Sequence, residues 1–254
     1  MKDYLIDTHA HIDMIEEPAD KVLAEMALNG VKKVVIPSVE VGSMDTILTI
    51  ASQYENVYSM IGLYPSEIKN FTPEIEDLMI KYAEHEKVVA VGEIGLDYYW
   101  DKSFVEEQKA GFRKQIRLAN RLNLPIVVHD REAHKDTFDI LKEENKTSKV
   151  LFHCFSGSVE FMRECVKEGW SIALGGVVTF KNAVKMKEVA KEIPLDKLML
   201  ETDSPYLTPV PFRGKTNKPT YVKYVAQEIA KLRGMEIEDI IDITTSNAEE
   251  FFGI

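Results

Sequence analysis

The chain has little cysteine. Its 254 residues contain only Cys154 and Cys165, and no C-x-x-C pair. This excludes a thiolate zinc knuckle and a disulfide scaffold, and makes a reducing compartment the simpler expectation. Positive charge is also short. Lys and Arg number 31 against 42 Asp and Glu, for a formal net charge of −11. Such a surface argues against a nucleic-acid coat protein or a basic membrane-surface protein. It leaves room for phosphate chemistry at a site where bound cations invert the local field. No run approaches 18 apolar residues, so no membrane-spanning helix is expected. The opening MKDYLIDTHAHID has no apolar core of the kind a secretory leader carries. The expectation is a soluble, cytoplasmic protein. Linkers rich in Pro, Gly or Ser, low-complexity tracts and sequence repeats are all missing, which favours one domain over 1–254.

Hydrophobic residues make up 45% and charged residues 29%, an ordinary globular balance that excludes disorder, collagen and coiled coil. A chain this long buries a full core without staples. Short apolar runs begin near Leu5, Val34, Val57, Val88, Pro125, Val150, Ser171 and Leu198. They do not alternate apolar with polar, as suits strands of a parallel sheet buried on both faces. Between them lie stretches of helical period. In 103–122 the apolar residues Val105, Phe112, Ile116 and Ala119 make one stripe. Similar stretches cover roughly 17–29, 43–53, 73–85, 131–144, 158–168, 181–192 and 218–233, and a last one covers 236–252. Eight strands alternating with eight helices, at about 27 residues per unit, predict an α/β chain folded as a (β/α)8 TIM barrel. An open doubly wound sheet is the rival. Against it, no G-x-G-x-x-G follows the first run.

Barrel active sites lie at the C-terminal ends of the strands. The polar residues just after each apolar run are therefore the candidates. Asp7, His9, His11 and Asp13 follow the first, Glu93 the fourth, His129 the fifth, His153 the sixth, and Glu201 and Asp203 the eighth. Four of the six histidines fall at strand ends; His85 and His134 fall on predicted helices, where exposure is expected. Neutral imidazole is the commonest metal ligand, and carboxylates complete sites for Zn, Mn or Mg. His9 and His11, two apart in an extended segment, point to the same side.

The ordered motifs D-T-H-A-H at 7–11, G-E-I-G-L-D-Y at 92–98, H-D-R-E-A at 129–133, H-C-F-S-G at 153–157, E-T-D-S-P-Y-L at 201–207 and P-V-P-F-R-G-K at 209–215 resemble the TatD-related metal-dependent deoxyribonucleases, which are amidohydrolase-type barrels. The resemblance runs to T-T-S-N-A at 244–248 and so covers essentially the whole chain. It implies two divalent ions (Mg, Mn or Zn): one held by His9, His11 and Asp203, the other by His129 and His153, with Glu93 bridging both. Paired ions of this kind activate a water and clamp the attacking and leaving oxygens of an in-line displacement. Asp203 and Glu93 are then the catalytic carboxylates, with Asp203 orienting or deprotonating the water. Glu201 is expected to hold a histidine tautomer or a backbone group.

Phosphate recognition would fall to Arg213 and Lys215, with Lys181 and Arg131 as weaker candidates, because guanidinium offers a planar fork for phosphate oxygens. The chain departs from the family at Gly62-Leu63-Tyr64-Pro65, where relatives commonly carry G-x-H-P. Tyr64 can donate to a phosphate or stack on a base, but it cannot shuttle a proton near neutral pH as histidine does. Phe212 stands where many relatives have a polar or tyrosyl side chain. Tyr98, Tyr99 and Trp100 read either as a rim wall on which a base stacks or as packing. Cys154 reads as a small buried residue.

Two enzymatic readings follow. The first is a 3′→5′ deoxyribonuclease acting on DNA ends. The second is a metal-dependent hydrolase of another phosphate, ester or amide, for example an aminoacyl ester on RNA, which Tyr64 keeps open. A binding or scaffold protein that keeps the barrel ranks third, because all six implied ligands are present. Oligomeric state is not legible.

Overall fold

The computed structural model describes residues 2–254. Eight strands alternate with helices along the chain: β1 (Leu5–Asp7), α1 (Ala19–Leu28), β2 (Val31–Pro37), α2 (Val41–Gln53), β3 (Val57–Ile61), α3 (Pro73–Ala83), β4 (Val88–Asp97), α4 (Val105–Leu122), β5 (Ile126–Arg131), α5 (His134–Glu144), β6 (Val150–Phe152), α6 (Val159–Lys167), β7 (Ser171–Leu174), α7 (Val184–Glu192), β8 (Leu198–Leu200), α8 (Val222–Arg233) and α9 (Ile237–Phe252). The sheet order is β1 to β8, the (β/α)8 barrel class expected from the spacing. Nine α-helices stand among the described residues: eight alternate with the strands, and α9 closes the chain where the last helical stretch, 236–252, was expected. The chain packs into two compact units, each described in turn.

The first unit comprises the residues up to Ile36 together with Cys154–Ile254. It carries β7 and β8, paired in parallel from Ile172↔Leu198 to Leu174↔Leu200, and β1 with most of β2, paired through Asp7↔Val34. β1 also meets β8: Thr8 N donates to Leu200 O at 3.1 Å, and Ala10 bridges Ser204. Every residue of β1, β7 and β8 is buried, as the unbroken apolar runs require. β2 starts at Val31, before the apolar run proper: Val31 and Lys33 pair with Leu5 and Ile6, while Lys32 falls at a register shift and is exposed. Helix α9 packs on β1 and β8. There Glu249 gathers Lys2, Tyr4 and Lys33, the last at 2.7 Å.

The second unit, Pro37–His153, carries β3 to β6. All ten residues of β4 are buried. β4 pairs with β5 through Gly95↔His129 and Asp97↔Arg131. Gly95 has φ of +153°, and a Cβ there would stand 1.9 Å from the His129 carbonyl oxygen, so no other residue fits. Helix α4 buries the expected Phe112, Ile116 and Ala119, together with two polar residues, Gln108 and Gln115. Gln115 brackets Leu63, accepting from its N at 2.8 Å and donating to its O at 3.1 Å. Gln108 brackets Asp97 in the same way, at 2.9 and 3.0 Å. These amides satisfy backbone groups that would otherwise be buried unpaired, and they fix the segments that carry Tyr64 and Asp97.

Candidate metal centre

In the second unit the end of the β4–β5–β6 sheet brings Glu93, His129 and His153 together. Their ligand atoms all lie within 4.8 Å of one another. Glu93 Oε1 is 2.8 Å from His129 Nδ1 and 3.2 Å from His153 Nε2, and those two nitrogens are 3.2 Å apart. The other ring nitrogen of His129, Nε2, lies 3.1 Å from Asp97 Oδ2. Tyr64 donates its hydroxyl to the same Asp97 oxygen at 2.5 Å and lies 3.1 Å from His129 Nε2. Burial favours a neutral His129 ring, but the Asp97 and Glu93 carboxylates outweigh it and bring the ring to about 9. Burial also opposes charge on Asp97, yet His129 and Tyr64 hold that carboxyl down at about 2. The pocket therefore favours positive charge, whether a proton or a cation. Burial, with Asp97 and Glu93 beside it, pushes the Tyr64 phenol far up, so Tyr64 is a donor and not a base.

In the first unit His9 Nε2 and His11 Nε2 face each other at 3.3 Å. Asp203 Oδ1 stands 3.8 Å from the first and 3.5 Å from the second. Asp203 has φ of +56°, a left-handed conformation that Asp tolerates. Its N donates to His9 O at 2.9 Å, which ties the end of β8 to the segment after β1. Asp7 underpins this set. It accepts from Thr202 N (2.9 Å), Thr202 Oγ1 (2.5 Å) and His9 N (3.2 Å). Complete burial, which these hydrogen bonds only partly offset, raises it to about 7. Glu201 Oε1 accepts from Cys154 N at 2.5 Å, so Glu201 holds a backbone group.

The donor sets fit divalent ions. Ligand atoms about 2.1 Å from a tetrahedral cation stand about 3.3–3.4 Å from one another, and slightly closer around an octahedral one. The separations among Glu93, His129 and His153, and among His9, His11 and Asp203, fall in or near that range. Imidazole nitrogens with carboxylate oxygens suit Zn and Mn, with Mg favouring the oxygens.

The substrate-binding candidates look different. Arg213 is exposed; its Nη1 donates to Thr208 O at 2.8 Å, and its guanidinium lies 4.0 Å from the Phe180 ring centroid. Lys215 is exposed with Nζ 5.6 Å from the Phe212 centroid, and Lys181 is exposed as well. Phe212 stacks on Tyr221, 4.5 Å between centroids and 6° between planes. Two expectations need correction. Cys154, with a φ of +43°, is half-buried and not buried. His134 is half-buried, and its Nδ1 meets Asp130 at 2.7 Å. Of the two readings left open for Tyr99 and Trp100, core packing does not hold, because both are exposed. His85 is exposed as expected.

Two residues that matter were not singled out from the sequence. Asp97 lies inside the G-E-I-G-L-D-Y motif, where a carboxylate four residues after Glu93 could have been noticed. Asn217, in the loop before α8, is buried and donates to Thr202 O and Tyr206 O at 2.8 and 2.5 Å; nothing in its spacing marks it.

An eight-stranded parallel barrel with clustered imidazole and carboxylate groups that could hold metal ions on and beyond its strands fits a class, the metal-dependent hydrolases. Within that class the chain belongs to the TatD related DNase family, which matches residues 6–253. It is 46% identical over 253 residues to the uncharacterized metal-dependent hydrolase YabD of Bacillus subtilis (strain 168), covering 98% of this chain and 99% of that one. It is 36% identical to the uncharacterized metal-dependent hydrolase YcfH of Escherichia coli K12, covering 99% and 96%. The crystal structure of the TatD homologue YjjV from Escherichia coli K12 superposes with a TM-score of 0.93 at 31% identity, over all of both chains. An uncharacterized amidohydrolase from Saccharomyces cerevisiae, 19% identical, shares the fold with a TM-score of 0.84. No helix among the described residues is long and apolar enough to cross a membrane.

Proposed function

We propose that this chain is a divalent-metal-dependent deoxyribonuclease of one catalytic domain that removes nucleotides from 3′ DNA ends. The observation that carries the reading is Glu93 Oε1, one carboxylate oxygen within 3.2 Å of a ligand nitrogen from each of two histidines. That suits an oxygen donor in the ligand set of a divalent ion. Glu93, His129 and His153 would serve one ion, and His9, His11 and Asp203 another. When bound, the ions would make a water easier to deprotonate and offset charge on the phosphoryl oxygens.

The chain's own groups do the rest. Asp203 accepts the proton of the attacking water. Asp97, braced by Tyr64, keeps the proton of His129 on Nε2 and leaves Nδ1 as a ligand. Arg213 and Lys215 receive the substrate phosphate once Arg213 exchanges its carbonyl partner for the stronger charge-assisted bond. The family name supports DNA as substrate.

A second reading rests on Tyr64. Its hydroxyl is committed to Asp97 at 2.5 Å, so it supplies no proton to a leaving alkoxide. That keeps open a substrate other than DNA, an ester or amide such as an aminoacyl ester on RNA. The test is parallel turnover of single-stranded DNA and of carboxylic esters at equal enzyme concentration, with metal content measured in the same samples. DNA turnover at two ions per chain supports the first reading. Ester turnover without loss of nucleotides supports the second.

A further inference from the structure

The β4–β5 pair ends in an exposed aromatic step that the chemistry above leaves unused. Tyr98, Tyr99 and Trp100 follow Asp97 directly, and Arg131 lies two residues beyond His129 on β5, about 6–7 Å further along the strand. Asp97 and Arg131 are register partners, and Tyr98 N donates to Arg131 O at 2.9 Å. Tyr98 is tied down, its hydroxyl donating to Asp136 at 2.8 Å. The next two side chains are not. Tyr99 is 49% exposed and Trp100 73% exposed, their rings edge to face at 4.9 Å. The Arg131 guanidinium covers Tyr99 at 3.7 Å from its centroid and reaches Trp100 at 5.4 Å. Among the described residues none accepts a hydrogen bond from that guanidinium, so its face is stacked while its N–H edge stays available.

The step is held rigidly. Asp97 Oδ1 accepts from Tyr99 N at 2.9 Å and Trp100 N at 3.3 Å, while Oδ2 of the same carboxylate meets His129 Nε2 at 3.1 Å. One carboxylate thus fixes both a proposed metal ligand and the backbone of the aromatic step. Tyr99 and Trp100 thus present adjoining rings to solvent, their backbone fixed by the carboxylate that also meets His129.

We infer that Tyr99, Trp100 and Arg131 form a subsite for an unpaired nucleobase and its adjoining phosphate; this rests on the deoxyribonuclease reading. An indole face accepts any base, because every base has a π-face. The guanidinium edge fits phosphate oxygens. A base inside a duplex has both faces covered by its neighbours, so the step selects single-stranded or frayed ends.

The test is titration of the full-length protein with oligothymidylate in excess chelator, which keeps the strand intact. Trp170 is only 6% exposed, so a change in tryptophan emission reports Trp100. The wild type should be quenched. W100A should bind about tenfold more weakly by anisotropy of a labelled strand, W100F should keep most of the affinity, and a strand of abasic sites should bind the wild type about as weakly as W100A binds thymidylate. W100A or the abasic strand binding as tightly as the intact pair overturns the subsite. With Mn²⁺ restored, a wild type that shortens DNA while W100A shows the same KM refutes the subsite alone. A wild type that neither binds nor shortens DNA removes the nuclease reading and the subsite with it.

Discussion

Asp97 grips His129 from the side opposite Glu93. Its Oδ2 lies 3.1 Å from Nε2, while Nδ1 of the same ring lies 2.8 Å from Glu93 Oε1. An imidazole held this way has its tautomer chosen for it. Asp97→Asn keeps the shape but replaces the acceptor charge, so metal affinity should fall about 10–100-fold. Chelator competition on the folded protein measures this. Undiminished affinity would take Asp97 out of that role.

Tyr64→Phe removes only the hydroxyl that braces Asp97. A hydrogen bond to a charged group contributes about 1.5–3 kcal/mol, so turnover should fall about ten- to a hundredfold while the circular dichroism spectrum is kept. A Tyr64→Phe enzyme of full activity would mean that the phenol merely fills space.

The clasp on Glu249 sets an acid limit on stability. Burial works against its charge, but Lys2, Lys33 and Tyr4 outweigh burial and hold the carboxyl at about 2, against 4.5 unperturbed. A carboxyl lowered in the fold stabilises above its unfolded value, and that contribution disappears as pH falls from about 4.5 through about 2. The loss is on the order of 2–3 kcal/mol. Urea unfolding from pH 7 to pH 3 should show the wild type losing more stability than Glu249→Gln. Parallel curves would contradict the assignment.

Gly95→Ala tests the β4–β5 ladder under the proposed metal ligands. The new Cβ meets the His129 carbonyl oxygen at 1.9 Å, and the φ of +153° suits glycine alone. Destabilisation of at least about 2–3 kcal/mol is expected, with impaired metal binding because His129 moves. A thermal midpoint equal to the wild type would show that the strands part more easily than their register suggests.

The barrel was legible because runs such as VVAVGE and PIVVH are apolar on both faces, which only a covered parallel sheet explains. The gathering of histidines on and beyond the strands was legible because each of them follows such a run. What stayed hidden depends on side-chain reach across the chain. Asp97 matters through its distance to His129, and Gln108 and Gln115 through the backbone groups they satisfy from an otherwise amphipathic helix. The partners of Arg213 were equally hidden: its motif suggested a phosphate ligand, and the structure adds the Thr208 carbonyl and the Phe180 ring beside it.

The most direct test follows end-labelled single-stranded DNA incubated with metal-stripped protein, with and without Mn²⁺ or Mg²⁺, beside an Asp203→Asn control. The account predicts no cleavage without metal, stepwise loss of nucleotides from the 3′ end when metal is restored, and at least a thousandfold slower loss in Asp203→Asn, about 4 kcal/mol of barrier. Intact DNA in the presence of bound metal, or equal rates in the control, would contradict it.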